Sequence, residues 1–195
     1  PAEEKQLQAL QKRCGQGDFD IAVSIGIGGS YLGNQVLFDM TCGPFWNLMS
    51  KEDRRGRPQI FFAGENEDPE GLAALLSYIE SCSKKAASPL RILLLIISKS
   101  GTTIEPMSAL EVLSAKLAAL GVCTEYAVIT DSHKGYLHEL ALKKQWIHFT
   151  VPEGIGGRFS VFSQVGLVFG AVIGLDIPAF LKGARFVDQR CRGSD

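Results

Sequence analysis

Five short stretches of this chain are apolar or nearly so on both faces: Ile21–Ile25, Gln59–Ala63, Leu90–Ile97, Glu125–Thr130 and Trp146–Val151. A strand with one wet face alternates apolar and polar residues. Runs apolar on both faces belong to a parallel sheet covered by helices on each side. Helical patterns fall between the runs. Asp68–Ser83 carries Pro69 at a first helical position and sets Leu72, Leu75, Leu76 and Ile79 on one face. Glu105–Leu120 repeats this, with Pro106 near its start and Gly121 just past its end. Leu32–Met40 and Lys134–Lys143 are shorter candidates, and Glu3–Arg13 reads as a polar surface helix. Phe159–Ile173 reads as one buried helix ending near Gly174. Residues 41–58 form a longer connection of mixed charge, with a short helix near Phe45–Leu48. Strict alternation implies right-handed crossovers. The expected fold is α/β, a three-layer α-β-α sandwich with a five-stranded parallel sheet, doubly wound in the flavodoxin-like manner. Residues 1–195 are read as a single domain, with 1–17 and 183–195 as peripheral ends.

Composition removes several classes of function. Lys and Arg total 20 against 21 Asp and Glu, a net charge of −1, so no basic surplus drives nucleic-acid binding. The longest purely apolar run, Ile92–Ile97, is far shorter than the ~20 residues that span a bilayer. The five cysteines, at 14, 42, 82, 123 and 191, are odd in number, widely spaced and without a CxxC pair. They are expected to be reduced thiols in a cytoplasmic protein, with neither disulfides nor structural zinc. His133, His138 and His148 share no metal-ligand spacing and are placed on surfaces or strand ends, so no metal site is expected. Asp131 reads as a turn or helix cap, and Trp46 and Trp146 as core. A first residue of Pro1 and a polar end at 190–195 read as a piece of a longer protein.

In an open parallel sheet, ligands bind beyond the carboxyl ends of the strands, which directs attention to three loops. The first, IGIGGSYLG at 25–33, leaves the first strand and enters a helix. Gly26, Gly28 and Gly29 permit a tight turn and close backbone approach, and Ser30 offers a hydroxyl at the helix start beside free N–H groups. The dinucleotide pattern GxGxxG fails at Tyr31, and the nucleophile elbow GxSxG fails at Leu32. Read alone, this loop is equally a glycine turn with Ser30 as a helix cap.

The second loop, ISKSGTTIEP at 97–106, also joins a strand to a helix. It places Ser98, Ser100, Thr102 and Thr103 within six residues, with Lys99 and Gly101 among them. Hydroxyls, amides and a helix dipole make a phosphate cradle, and each charge-assisted hydrogen bond contributes about 1.5–3 kcal/mol. No Walker signature is present, which argues against a nucleotide triphosphate. The plainer alternative is a capping turn rich in Ser and Thr. The third loop, VPEGIGGRFSVFSQVG at 151–166, brings backbone close at Gly156 and Gly157 and sets Arg158 at its lip, where a fixed cation suits an anionic transition state. Alone, it too could be a surface arginine beside a turn.

Together these three loops closely resemble the glucose-6-phosphate isomerase (phosphoglucose isomerase) family, built from sugar isomerase (SIS) domains, from about Asp20 to Ile177. IGIGGSYLG is similar to the family's first glycine loop, SKSGTTIEP to its bacterial-type phosphate loop, and EGIGGRFSVFSQVG to a family signature that departs at Gln164, where a small residue is more usual. The resemblance implies that Ser98, Ser100 and Thr103, with the Lys99 backbone and neighbouring Thr102, bind the sugar phosphate. It implies that Gly29, Ser30 and Gly157 approach the substrate, that Glu105 sits near the sugar hydroxyls, and that Arg158 stabilises an enediolate. The implied reaction is the glycolytic and gluconeogenic exchange of glucose 6-phosphate and fructose 6-phosphate through a cis-enediol, without metal or organic cofactor. The family's base is a glutamate in a second SIS domain, with a histidine and a lysine also later in the chain, and no position here matches those motifs. The resemblance therefore implies a first SIS domain whose partners are a sugar phosphate, a second SIS domain of the same polypeptide and, for the full enzyme, a homodimer mate. Such a piece is expected to be inactive alone. A non-catalytic sugar-phosphate-sensing SIS module would share the hydroxyl loop but not the Arg158 signature. An NAD-dependent enzyme is the third alternative, against which this chain lacks both the full fingerprint and a well-placed acid after the second strand.

Overall fold

The computed structural model describes residues 2–193; Pro1, Ser194 and Asp195, read above as parts of the cut ends, lie outside the described residues. The strands are β1 (Ile21–Ile25), β2 (Gln59–Ala63), β3 (Arg91–Ile97), β4 (Cys123–Thr130) and β5 (Ile147–Thr150). They form one sheet in the order β2-β1-β3-β4-β5, with every pairing parallel. This is a doubly wound order, with the topological switch between β1 and β3.

The helices are α1 (Ala2–Gly15), α2 (Gly29–Thr41), α3 (Pro69–Lys85), α4 (Ile104–Ala119), α5 (Tyr136–Lys144), α6 (Gln164–Ile173) and α7 (Ile177–Arg192). Strand side chains alternate between two helical layers. On β3, Leu93, Leu95 and Ile97 enter the core under α1, α2 and α6, while Ile92, Leu94 and Ile96 enter the core under α3, α4 and α5. A short 3₁₀ helix at Trp46–Leu48 lies where a short helix was expected, and the Trp46 indole donates to the Pro58 carbonyl at 3.0 Å. Trp146 stacks on Tyr126 with ring centres 4.2 Å apart.

Three expectations change. The single helix expected over Phe159–Ile173 is a 3₁₀ segment, Gly157–Phe162, followed by α6. The break falls at Ser163, whose backbone is extended (φ −99, ψ −172) and whose hydroxyl accepts from the Val165 amide. An N-cap hydroxyl of this kind starts a new helix. The first helix is not wholly superficial, since Leu10 and Cys14 are buried beneath it. Finally, α7 was not anticipated. Asp176 caps it by accepting from the Ala179 amide at 3.0 Å, but its charged composition masks the helical spacing of Ile177, Phe180, Leu181 and Ala184, and it buries none of its residues. Among the described residues no helix is long and apolar enough to cross a membrane.

Candidate functional site

Because all strands are parallel, the loops after β1, β3 and β5 open on the same edge of the sheet. β5 stands three strand spacings from β1, about 14 Å. The segment after Thr150 nonetheless returns across that edge to loop one. The carbonyl of Gly157 occupies the position a Cβ on Gly29 would take, and Val161 packs against Gly33. Ser160 ties the two loops, its hydroxyl lying 2.7 Å from the Gly157 carbonyl and 3.3 Å from the Gly29 carbonyl. Loop three also reaches loop two, where the Lys99 ammonium donates to the Ile155 carbonyl at 2.8 Å.

Loop one corrects one detail of the sequence reading. Ser30 is not the helix cap. Gly28 holds that place with φ 57, and α2 begins at Gly29. The amides of Ser30 and Tyr31 are not free either, since they donate to the carbonyls of Ile27 and Gly28 at 3.1 and 3.0 Å. The tight turn uses its own donors, so what this loop presents is the Ser30 hydroxyl and bare glycine backbone.

Loop two is organised by its own hydroxyls. Ser98 is buried; its oxygen accepts from the Gly101 amide at 3.2 Å and lies 3.4 Å from the Thr103 hydroxyl. The Ser100 and Thr103 hydroxyls are 3.1 Å apart, and Ser100 also accepts from the Thr102 amide at 3.3 Å. Thr103 ends the loop as the cap of α4 without closing a side-chain cap bond. The Ile104 and Glu105 amides at the start of α4 have no intrahelical partner, and Pro106 carries no N–H. Two supports were not singled out from the sequence. Thr130 donates to the Ser98 carbonyl at 2.6 Å, and Gly135, at φ 102, lies against the Ser100 carbonyl. The glycine at 135 was a visible signal, because only a residue without Cβ permits that approach with that φ.

Glu105 takes a separate position. It lines a cleft of about 320 Å³ between α3 and α4, which it shares with Glu65 and Asp68 and with an apolar wall of Leu72, Leu75 and Val112. Arg158 is exposed, and among the described residues its guanidinium has no hydrogen-bond or ion-pair partner. Of the residues selected from sequence, Gly29, Ser30, Gly157 and Arg158 share one seam, which Lys99 joins to Ser98, Ser100, Thr102 and Thr103. Asp131 is a turn residue, accepting from the His133 amide at 3.0 Å. His148 is half-buried and its ring meets His138 edge-on at 5.1 Å; desolvation, then the His138 charge, hold it below the usual imidazole range. Among the described residues no cluster of three His, Cys, Asp or Glu could hold a metal.

With this geometry in place, comparison with known proteins is decisive. Residues 12–194 match the phosphoglucose isomerase family. This chain belongs to that family. It is 42% identical to the glucose-6-phosphate isomerase of Acetivibrio thermocellus over 171 residues, covering 86% of this chain and 36% of that protein. It is 40% identical to the glucose-6-phosphate isomerase of Pediococcus pentosaceus over 183 residues, covering 91% of this chain and 39% of that protein. The crystal structure of a hypothetical protein from Thermus thermophilus superposes with a TM-score of 0.75 at 26% identity, covering all of this chain and 43% of that one. The chain thus spans well under half the length of the phosphoglucose isomerase relatives it matches.

Proposed function

We propose that this chain is the sugar-phosphate-binding first SIS domain of a glucose-6-phosphate isomerase. The observation that supports this reading is the seam itself: loop three, which carries Arg158, crosses the sheet edge to abut Gly29, and its Ile155 carbonyl accepts from Lys99 of loop two. In this role the amides at the start of α4 and the hydroxyls of Ser100, Thr102 and Thr103 hold the phosphate, while Ser98, buried, fixes the loop. Ser30 and the backbone of Gly29 and Gly157 line the sugar chain, and Glu105 borders the space toward α3. Arg158 meets the negative charge that grows on the C1–C2 oxygens as the enediolate forms, where preorganised charge is worth most. The proton moves between C2 and C1 on a base that a second SIS domain supplies. General base catalysis alone is worth ~10²–10⁴-fold, so this chain by itself binds substrate and turns it over negligibly. The full enzyme would be a cytoplasmic homodimer serving glycolysis and gluconeogenesis.

The test is calorimetric titration of the 195-residue chain with 6-phosphogluconate, inorganic phosphate and NAD. Saturable binding of the sugar acid and no binding of NAD are expected. R158A should weaken the sugar acid about tenfold, the loss of one charge-assisted hydrogen bond. Equal affinities of wild type and R158A would remove Arg158 from the site, and binding of NAD alone would overturn the reading.

A further inference from the structure

Gln164 departs from the signature this chain otherwise resembles, and the structure gives it a partner. Its side-chain amide donates to Glu3 Oε2 at 3.1 Å, while Glu3 Oε1 accepts the backbone N–H of Thr150 at 3.1 Å. Thr150 is the last residue of β5, and Gln164 is the first of α6. One carboxylate therefore holds both ends of the segment that carries Arg158. The Thr150 amide needs such an acceptor. β5 is an edge strand, and the neighbouring Val151 amide already points inward to the Thr130 carbonyl at 2.8 Å. The Thr150 N–H points outward, where among the described residues no sixth strand pairs with it.

From this we infer that Glu3 and Gln164 form a staple at the base of the Arg158 loop and act as positioning residues for Arg158. Drawing the ends of a loop together removes conformations available to its tip. Here the tip must cross the sheet edge to reach Gly29 and Ile155 must meet Lys99, so a fixed base narrows where Arg158 can stand. Docking of α1 does not explain the contact. That helix is already anchored near its other end by buried Leu10 and Cys14 and by Arg13, whose guanidinium donates to both Glu125 oxygens at 2.8 Å. The staple rests on the functional reading above for its purpose, but not for its existence.

Hydrogen exchange of the whole 195-residue chain tests it directly. Q164A and E3A should each speed exchange of the Val151 and Phe159 amides, which flank the loop and donate to the Thr130 and Gly156 carbonyls at 2.8 and 2.9 Å, about tenfold, the loss of one hydrogen bond to a charged group. The double variant should add little to either, E3Q should recover much of the protection, and the 98–103 amides should be unaffected. In titrations, each variant should weaken 6-phosphogluconate several-fold, leave inorganic phosphate unchanged, and have no further effect in an R158A background. Unaltered exchange at Val151 and Phe159, or an equal loss in the R158A background, would overturn the staple as a positioning device. Q164A keeps the test alive if E3A fails to fold. A wild-type chain that binds neither ligand would overturn the functional reading, and exchange would still decide the staple.

Discussion

The Gly157 carbonyl stands where a side chain at Gly29 would have to be. Neither residue has a left-handed φ, so the requirement for glycine at 29 comes from contact between two backbones. The contact joins the loop after the first strand in the chain to the loop after the last, across three strand spacings of the sheet's carboxyl edge. It makes the placement of Arg158 a consequence of what stands at position 29.

G29A therefore forces the Gly157 carbonyl away, and the 3₁₀ segment that begins there must move with it. Overpacking of this kind costs about 1–3 kcal/mol. The predicted signature is a lower urea midpoint together with a loss of 6-phosphogluconate affinity at least as large as that of R158A. A G29A chain with wild-type affinity would show that the two loops are not coupled.

The five thiols divide by environment. Burial pushes the Cys14 and Cys42 thiols up to about 12, with the Arg57 charge opposing it in both. Only the thiolate is a nucleophile. Cys123 and Cys191 are exposed. In native buffer at pH 8, Cys123 and Cys191 should be the first sites alkylated, with Cys14 modified only on unfolding; mass spectrometry of timed digests reads this. Early alkylation of Cys14 would contradict the packing of α1 on α6.

Much of this architecture is legible in the residues. Ile21–Ile25 and Gln59–Ala63 are strands at the bounds their apolar runs mark, since a run apolar on both faces admits little else. The three loops were visible because glycine and hydroxyls between a strand and a helix have few other uses. What the pattern hid was long-range. Nothing local in Phe159–Ile173 shows that a buried serine, Ser163, restarts the helix, because a cap announces itself only once the neighbouring backbone is extended. The N–H groups at Ser30 and Tyr31 are consumed by the turn itself, which no residue pattern in IGIGGSYLG shows. Lys99 reaches a carbonyl 56 residues away, and Gln164 a carboxylate 161 away. No spacing rule pairs residues at such separations.

Acid should destabilise the fold in two stages. His148 is held below the usual imidazole range, so the unfolded chain binds its proton more readily than the folded one. Its contribution is full above about pH 6.5 and is lost as pH falls through the depressed folded value. Glu125 is held low first by its hydrogen bond from Arg13, then by Arg91. Its contribution is full above the ordinary carboxylate value of about 4.3 and is lost only below it. Urea midpoints should drop between pH 7 and pH 5 in the wild type and less so in H148Q, while R13M should flatten only the stage below pH 4.5. Identical wild-type midpoints at pH 7 and pH 5 would show that His148 carries no such penalty.

Arg57 offers the sharpest stability test. Its guanidinium is half-buried and donates to the Ala171 and Val172 carbonyls at 3.0 and 3.1 Å, at the end of α6, where unpaired carbonyls and the helix dipole both favour a cation. Desolvation lowers its pKa, with Cys14 and Cys42 opposing, yet an arginine stays charged at neutral pH. The C-cap Gly174 leaves room for this group, since a Cβ there would fall on the Arg57 side chain. R57M removes both bonds and leaves the carbonyls buried against a methyl group, a cost of about 2 kcal/mol. For a domain of this size that lowers Tm by roughly 4–8 °C. R57K keeps the charge without the planar fork and should fall between. G174A, strained at φ 87 and pressed against the same guanidinium, should destabilise comparably. Combined with R57M it should cost less than the sum, because one clash has already been removed. Full additivity of the two substitutions would mean that Arg57 does not cap α6 in solution.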